Sequence, residues 1–166
     1  MDINHAYSYC IKLLSIKDRT TAEIKRKLKG KNFSDEIIEA TLSKLIDYGY
    51  INDERYIENW IKSKSTQPGI SKKYMYYNLL QKGLDKELID YIFEKIIIDD
   101  YISAYNFAQK KIKLLEGDDK TNKNKLFLLL TRKGYSIELC KKVINDIFDD
   151  DIPITWQKKV KDIELF

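Results

Sequence analysis

Lys31-Asn32-Phe33-Ser34-Asp35-Glu36-Ile37, Lys82-Gly83-Leu84-Asp85-Lys86-Glu87-Leu88 and Lys133-Gly134-Tyr135-Ser136-Ile137-Glu138-Leu139 are three copies of one pattern, each 51 residues after the last with no gap. Gly83 and Gly134 stand where a left-handed residue closes a helix, and Asn32 is the next-best residue type for that conformation. An apolar residue follows each time: Phe33, Leu84 or Tyr135. Ser34, Asp85 and Ser136 are helix N-caps by type. Glu36, Glu87 and Glu138 then place a carboxylate in the first turn, where the helix dipole favours it. The pattern predicts a helix stop, one apolar anchor and a helix start, three times over.

On the C-terminal side each copy continues into an amphipathic stripe. The first is Ile37, Ile38, Thr41, Leu42, Leu45, Ile46; the second Leu88, Ile89, Ile92, Phe93, Ile96, Ile97; the third Leu139, Cys140, Val143, Ile144, Ile147, Phe148. Pairs spaced by four mark one face of a helix. On the N-terminal side a middle helix carries Ile24 and Leu28, Met75 and Leu79, Leu126 and Leu130, with Thr20 and Thr21, Ser71, and Thr121 and Asn122 as cap candidates. A first helix carries Ala6, Cys10 and Leu13, then Ile57 and Ile61, then Ala108, Ile112 and Leu115. The expected fold is all-α: three tandem three-helix, helix-turn-helix-like modules over 1–48, 49–98 and 99–150. Internal linkers fall at Gln67-Pro68-Gly69 and Glu116-Gly117-Asp118-Asp119. A tail over 151–166 contains Pro153 and Trp156. Modules of this size sit near the lower limit for independent folding, and three in a row predict an elongated, curved molecule.

Composition agrees. In 166 residues there are only 6 Gly and 2 Pro, too few for a fold of many strands and tight turns. Hydrophobic residues at 43% suffice for a core. The longest aliphatic–aromatic run, Leu126 to Leu130, is far short of a membrane span. Met1-Asp2-Ile3-Asn4-His5 lacks the basic-then-apolar pattern of an export signal, and Cys10 and Cys140 sit in apolar helical contexts. A cytoplasmic monomer with reduced thiols is expected.

The net charge of +4 permits nucleic-acid binding without requiring it. Its distribution says more. The middle-helix segments 19–33, 71–84 and 120–135 hold 14 Lys or Arg against 1 acid, whereas the third-helix segments 34–58, 85–101 and 136–151 hold 18 Asp or Glu against 6 bases. Lys25, Arg26, Lys72, Lys73, Lys123, Lys125 and Arg132 are the candidate contacts to phosphate or a partner. Tyr74, Tyr76, Tyr77 and Phe127 interleave with them and offer rings to bases. Solvated faces and pairing between helices are the competing explanation of the charge, and core packing that of Tyr76 and Phe127.

No phosphate loop, CxxC or HExxH motif occurs, and no nucleophile–base–orienter set is evident. Asp99-Asp100 and Asp149-Asp150-Asp151 read as solvated helix-end acids rather than a metal site. A non-enzyme without cofactor or metal is expected. A stand-alone DNA reader of the helix-turn-helix kind is the alternative function; its recognition helix is usually the third, which here is acidic and repels phosphate.

Gly49-Tyr50-Ile51-Asn52-Asp53-Glu54-Arg55-Tyr56-Ile57-Glu58-Asn59-Trp60-Ile61-Lys62-Ser63-Lys64 resembles the signature of the RecX family, regulators of bacterial RecA recombinase. Arg19-Thr20-Thr21-Ala22-Glu23-Ile24-Lys25-Arg26-Lys27-Leu28 resembles the family's first middle helix. Gln81-Lys82-Gly83-Leu84 and Arg132-Lys133-Gly134-Tyr135 resemble its repeated turns. The resemblance spans about residues 6–150. Ile57 stands where the family usually has Ala, Lys64 where Arg is common, and Asn32 where Gly is usual. From the residues themselves, Asp53 is expected to N-cap its own helix and Glu54 to sit in the first turn. Tyr56 and Trp60 are expected to pack inward together, and Arg55 either to pair with an acid of a neighbouring helix or to form a surface contact. The resemblance implies a protein that lodges in the groove of the RecA–single-stranded DNA filament and restrains ATP hydrolysis, strand exchange or filament extension, within DNA repair and the SOS response. It implies contact with single-stranded DNA that is weak or made through RecA.

Overall fold

A computed structural model of the protein describes residues 2–148. The tail over 151–166, with Pro153 and Trp156, and the run Asp149–Asp151 lie outside the described residues. Nine helices and no strand occur among the described residues: α1 Ile3–Leu14, α2 Thr21–Lys29, α3 Asp35–Asp47, α4 Asp53–Lys64, α5 Lys72–Gln81, α6 Lys86–Lys95, α7 Asp100–Ile112, α8 Asp119–Arg132 and α9 Ile137–Phe148. None is long and apolar enough to cross a membrane.

The repeated pattern folds the same way each time. Asn32, Gly83 and Gly134 adopt φ of 59°, 80° and 90°. Each left-handed residue donates its N–H to a carbonyl three residues back (Lys29, Leu80, Thr131), at 2.9 Å in every copy. The next residue donates to a carbonyl five back: Phe33 to Leu28, Leu84 to Leu79, Tyr135 to Leu130, at 3.4 Å in every copy. This pair of bonds is the Schellman closure, and its apolar contact is also present, because all six of those side chains are buried. Asp85 caps α6 by accepting from the Leu88 N–H at 2.9 Å, and Ser136 caps α9 by accepting from Leu139 at 3.2 Å. Ser34 holds the extended N-cap backbone of α3 without a side-chain bond.

The stripes bury as their spacing implies, with two exceptions at their ends. Ile24 and Leu28, Met75 and Leu79, and Leu126 and Leu130 are fully buried. Ile46 is 49% exposed and Ile97 is 97% exposed. Helix α6 stops at Lys95 with Ile96 already extended, so Ile97 has left the helical register. The cap of α8 also differs from expectation. Asp118 accepts from the Thr121 N–H at 2.8 Å, so α8 starts a turn before Thr121 and Asn122.

Two compact units divide the chain: Met1–Ile61 with Tyr76–Ile97, and Lys62–Met75 with Ile98–Phe166. The first has a core of Ala6, Cys10, Ile24, Leu28, Phe33, Ile38, Leu42, Leu45 and Ile51. The second is built on α7, α8 and α9 around Ala104, Phe107, Ala108, Leu126, Leu130, Cys140, Val143 and Ile144.

Candidate functional site

The first two middle helices, α2 and α5, begin against the turn that closes the following module's middle helix. At the first such junction, inside the first compact unit, Thr20 is fully buried. Its hydroxyl donates to the Lys82 carbonyl at 3.2 Å and accepts the Glu23 N–H at 3.1 Å, and Glu23 completes a capping box. Asp53, at the start of α4, accepts the Thr21 N–H at 2.9 Å. Lys82 lies 3.7 Å from Glu23 and 5.8 Å from the centre of the Tyr56 ring. Burial pulls its ammonium pKa down, Tyr56 and Glu23 push it up, and the sum is upward. A methyl built on Gly83 would lie 2.7 Å from Ala22 Cβ.

At the second junction, inside the second compact unit, buried Ser71 occupies the place of Thr20. It donates to the Lys133 carbonyl at 2.7 Å and accepts the Tyr74 N–H at 3.1 Å. Asp100, at the start of α7, accepts the Lys72 N–H at 2.7 Å. Ser103 lies fully buried within reach of the Gln67 and Ile70 carbonyls and of the Tyr135 hydroxyl, at 2.7, 2.9 and 2.7 Å. One hydroxyl donates once, so with Ser103 donating to a carbonyl, Tyr135 donates to Ser103. Burial pushes the Tyr135 phenol up to about 12, which keeps that proton in place.

Three of the signature residues, Asp53, Tyr56 and Trp60, therefore act differently from their sequence reading, whereas Glu54 sits in the first turn of α4 as expected. Asn52, not Asp53, caps α4 by accepting the Arg55 N–H at 2.8 Å; Asp53 instead accepts the first N–H of α2, beside that helix's own cap Thr20. Ile57 and Ile61 face the core, while Tyr56 and Trp60 are half-buried, because the inward face of α4 is rotated by about one residue from the aromatic pair. Arg55 is exposed and donates to the Gly49 carbonyl at 3.0 Å, and meets no acid among the described residues.

The basic candidates divide. Lys25 pairs with Glu39 at 2.5 Å, the interhelical pairing that competed with the phosphate reading. Lys125 donates to the Glu116 carbonyl at 2.9 Å, and Lys123 lies 5.0 Å from the Phe148 ring centre. Lys72, Lys73 and Arg132 are exposed. Arg26 is exposed and lines a pocket with Arg19, Lys27 and Lys31. Tyr74 and Tyr77 present about half their surface to solvent, whereas Tyr76 is held by Asp90 at 2.8 Å and Phe127 packs on the core. The partners of Thr20, Ser71 and Asp53 were missed in the sequence. The signal available was the register itself, since both hydroxyl-to-carbonyl bonds span 62 residues.

No group of three or more His, Cys, Asp or Glu side chains among the described residues is placed to hold a metal. Burial pushes the Cys10 thiol up to about 11 and the Cys140 thiol upward, so both stay neutral at ordinary pH.

Linked three-helix modules joined by buried caps, with their cations gathered on the middle helices, define a class of all-helical repeat protein. Within that class, residues 6–45 match the first three-helix domain of RecX and residues 52–91 match the second. Regulatory protein RecX of Chlorobium phaeobacteroides (strain BS1) is 31% identical over 150 residues, covering 89% of this chain and 96% of that one. Regulatory protein RecX of Mycobacterium sp. (strain KMS) is 28% identical over 145 residues, covering 84% and 79%. The crystal structure of RecX from Lactobacillus salivarius superposes with a TM-score of 0.75 at 24% identity, over 87% of this chain and 96% of that one. The chain belongs to the RecX family.

Proposed function

We propose that this protein regulates RecA recombinase as an inhibitor, binding as a cytoplasmic monomer in the groove of the RecA–single-stranded DNA filament. It works by occupancy rather than chemistry. Membership of the RecX family over nearly the whole chain carries this reading. The segregated charge supports it, since basic middle helices suit phosphate and acidic third helices suit a protein surface.

The test is RecA ATPase activity on single-stranded DNA, titrated with this protein below the concentration that coats free DNA. ATP hydrolysis is expected to fall at a stoichiometry set by RecA. Inhibition that appears only once naked DNA is saturated would favour the stand-alone DNA-binding alternative. A rise in hydrolysis would reverse the sign of the proposed regulation.

A further inference from the structure

The cations around α2 fall into two sets. Lys25 and Lys29 are held by α3, through Glu39 at 2.5 Å and Asp35 at 3.3 Å. Arg26, Lys27 and Lys31 join Arg19, Gly30 and Tyr9 of α1 around a pocket of about 440 Å³. Among the described residues, none of Arg19, Arg26, Lys27 and Lys31 has a carboxylate partner. The single acid in the lining, Glu23, is already engaged by the Thr20 N–H at 3.3 Å and by Lys82 at 3.7 Å. Arg19 Nε reaches the Leu13 carbonyl at 3.5 Å, which leaves its terminal nitrogens for another acceptor. Lys31 Nζ stands 5.8 Å from the centre of the Tyr9 ring. The negative end of the α2 dipole explains Arg26 and Lys27. It does not explain why Arg19, from before the helix, and Lys31, from after it, converge on the same concavity.

We propose that this pocket binds a phosphodiester of single-stranded nucleic acid. Two guanidinium forks and two ammonium groups around one neutralised carboxylate make an anion site. The half-buried Tyr9 ring gives a neighbouring base a face to stack on. Of the expected basic stripe this keeps Arg26, in the first module, as a main phosphate contact and adds Arg19, Lys27 and Lys31, in place of Lys72, Lys73, Lys123 and Lys125. It rests on the single-stranded DNA part of the proposed function and is independent of the RecA part.

The experiment measures fluorescence anisotropy of a labelled oligothymidylate across a salt series. Wild type is compared with Arg26→Gln/Lys27→Gln and with Lys72→Gln/Lys73→Gln, each checked for an unchanged melting curve. Exposed positions and a neutral replacement keep the fold. The pocket variant is expected to lose roughly tenfold in low-salt affinity. Its slope of log K on log salt should shallow by about 1.4, because each lost contact to a single strand removes about 0.7. The Lys72/Lys73 variant should keep the wild-type slope. Wild-type slope and affinity in the pocket variant overturn the proposal, as does a wild type that binds no oligonucleotide at low salt. Displacement of the oligonucleotide by polyglutamate at matched charge also overturns it, in favour of an acidic peptide. RecA ATPase assays on the same proteins separate the two readings. A pocket variant that binds DNA like wild type, with wild type still inhibiting RecA, sinks the pocket alone. A shallower slope with no wild-type inhibition sinks the RecA reading alone.

Discussion

The first junction is clamped by charge and the second by buried hydroxyls. Around the Lys82 turn stand Glu23 and Tyr56, half-buried and open to screening by water. Around the Lys133 turn stand Ser103 and Tyr135, both shut off from solvent. Yet the same three backbone events occur in both: a cap hydroxyl donates to the lysine carbonyl, a carboxylate from the first helix of the following module accepts the first helical N–H, and a left-handed glycine closes the turn. The difference shows where the constraint lies. The main-chain geometry is held fixed, and the surrounding side chains are interchangeable solutions for holding it.

The largest effect that would test this is steric. Gly83→Ala places a methyl 2.7 Å from Ala22 Cβ, which has no rotamer into which to retreat. At Gly134 the nearest atom is Ser71 Oγ at 3.0 Å. Both substitutions also incur a left-handed backbone cost of about 1–2 kcal/mol. Gly83→Ala is expected to destabilise by about 3 kcal/mol and Gly134→Ala by about 2. Urea midpoints check the order, and a reversed order would mean that the hydroxyl network is the more rigid of the two.

A middle-sized effect comes from the hydroxyls. Ser71→Ala removes both a helix cap and the partner of a carbonyl, and is expected to cost about 1–2 kcal/mol. Thr20→Val keeps the branched shape and should cost somewhat less, because its bond to the carbonyl is longer, 3.2 Å against 2.7 Å. Equal stability of Ser71→Ala and wild type would show that the turn needs no hydroxyl.

The smallest effect is on pH dependence, and it has opposite signs for two carboxylates, Asp100 and Asp90. In the second unit, burial raises the Asp100 pKa above the ordinary 3.8, against the pull of the Lys72 N–H. The folded chain then holds this proton more tightly than the unfolded one, so stability from this group is greatest at low pH and is lost as pH rises through the raised value. Asp100→Asn keeps an acceptor for Lys72 and should flatten that fall. In the first unit, hydrogen bonds from Lys86 and Tyr76 lower the Asp90 pKa, so its contribution is present above 3.8 and lost as pH falls through the lowered value. Urea midpoints measured from acid to neutral pH would contradict this if the wild-type and Asp100→Asn curves ran parallel.

What the sequence made legible was local. The three closures, the middle-helix stripes and most caps are decided within a turn of helix, by residues whose conformational preferences are strong. The α8 start escaped because Asp118, inside an expected linker, outcompeted Thr121 and Asn122 as a cap. Helix α4 was legible in part: Ile57 and Ile61 lie on the core face as their spacing implies, but apolar residues at 56, 57, 60 and 61 fit two adjacent faces, and Tyr56 and Trp60 are only half-buried. Asp53 escaped because a carboxylate at a helix start is as able to cap a neighbour as its own helix. The charge pattern was visible, but not which cations were already paired: Lys25 and Arg26 are adjacent in sequence, and among the described residues only Lys25 has an acid.

Asn32 departs from glycine at a turn whose backbone otherwise matches those of Gly83 and Gly134. Asn32 is exposed with a side chain in place, whereas a methyl at Gly83 or Gly134 would press on the preceding module's cap segment, at Ala22 and at Ser71. The left-handed turn favours glycine in all three copies, and at positions 83 and 134 the neighbour adds a steric demand that asparagine could not meet. In an array grown by copying such a module, the leading copy is free to drift at this position, and every copy added behind it inherits the restriction at once. Someone extending the array by design would have to restore Gly at position 32 before placing anything in front of it.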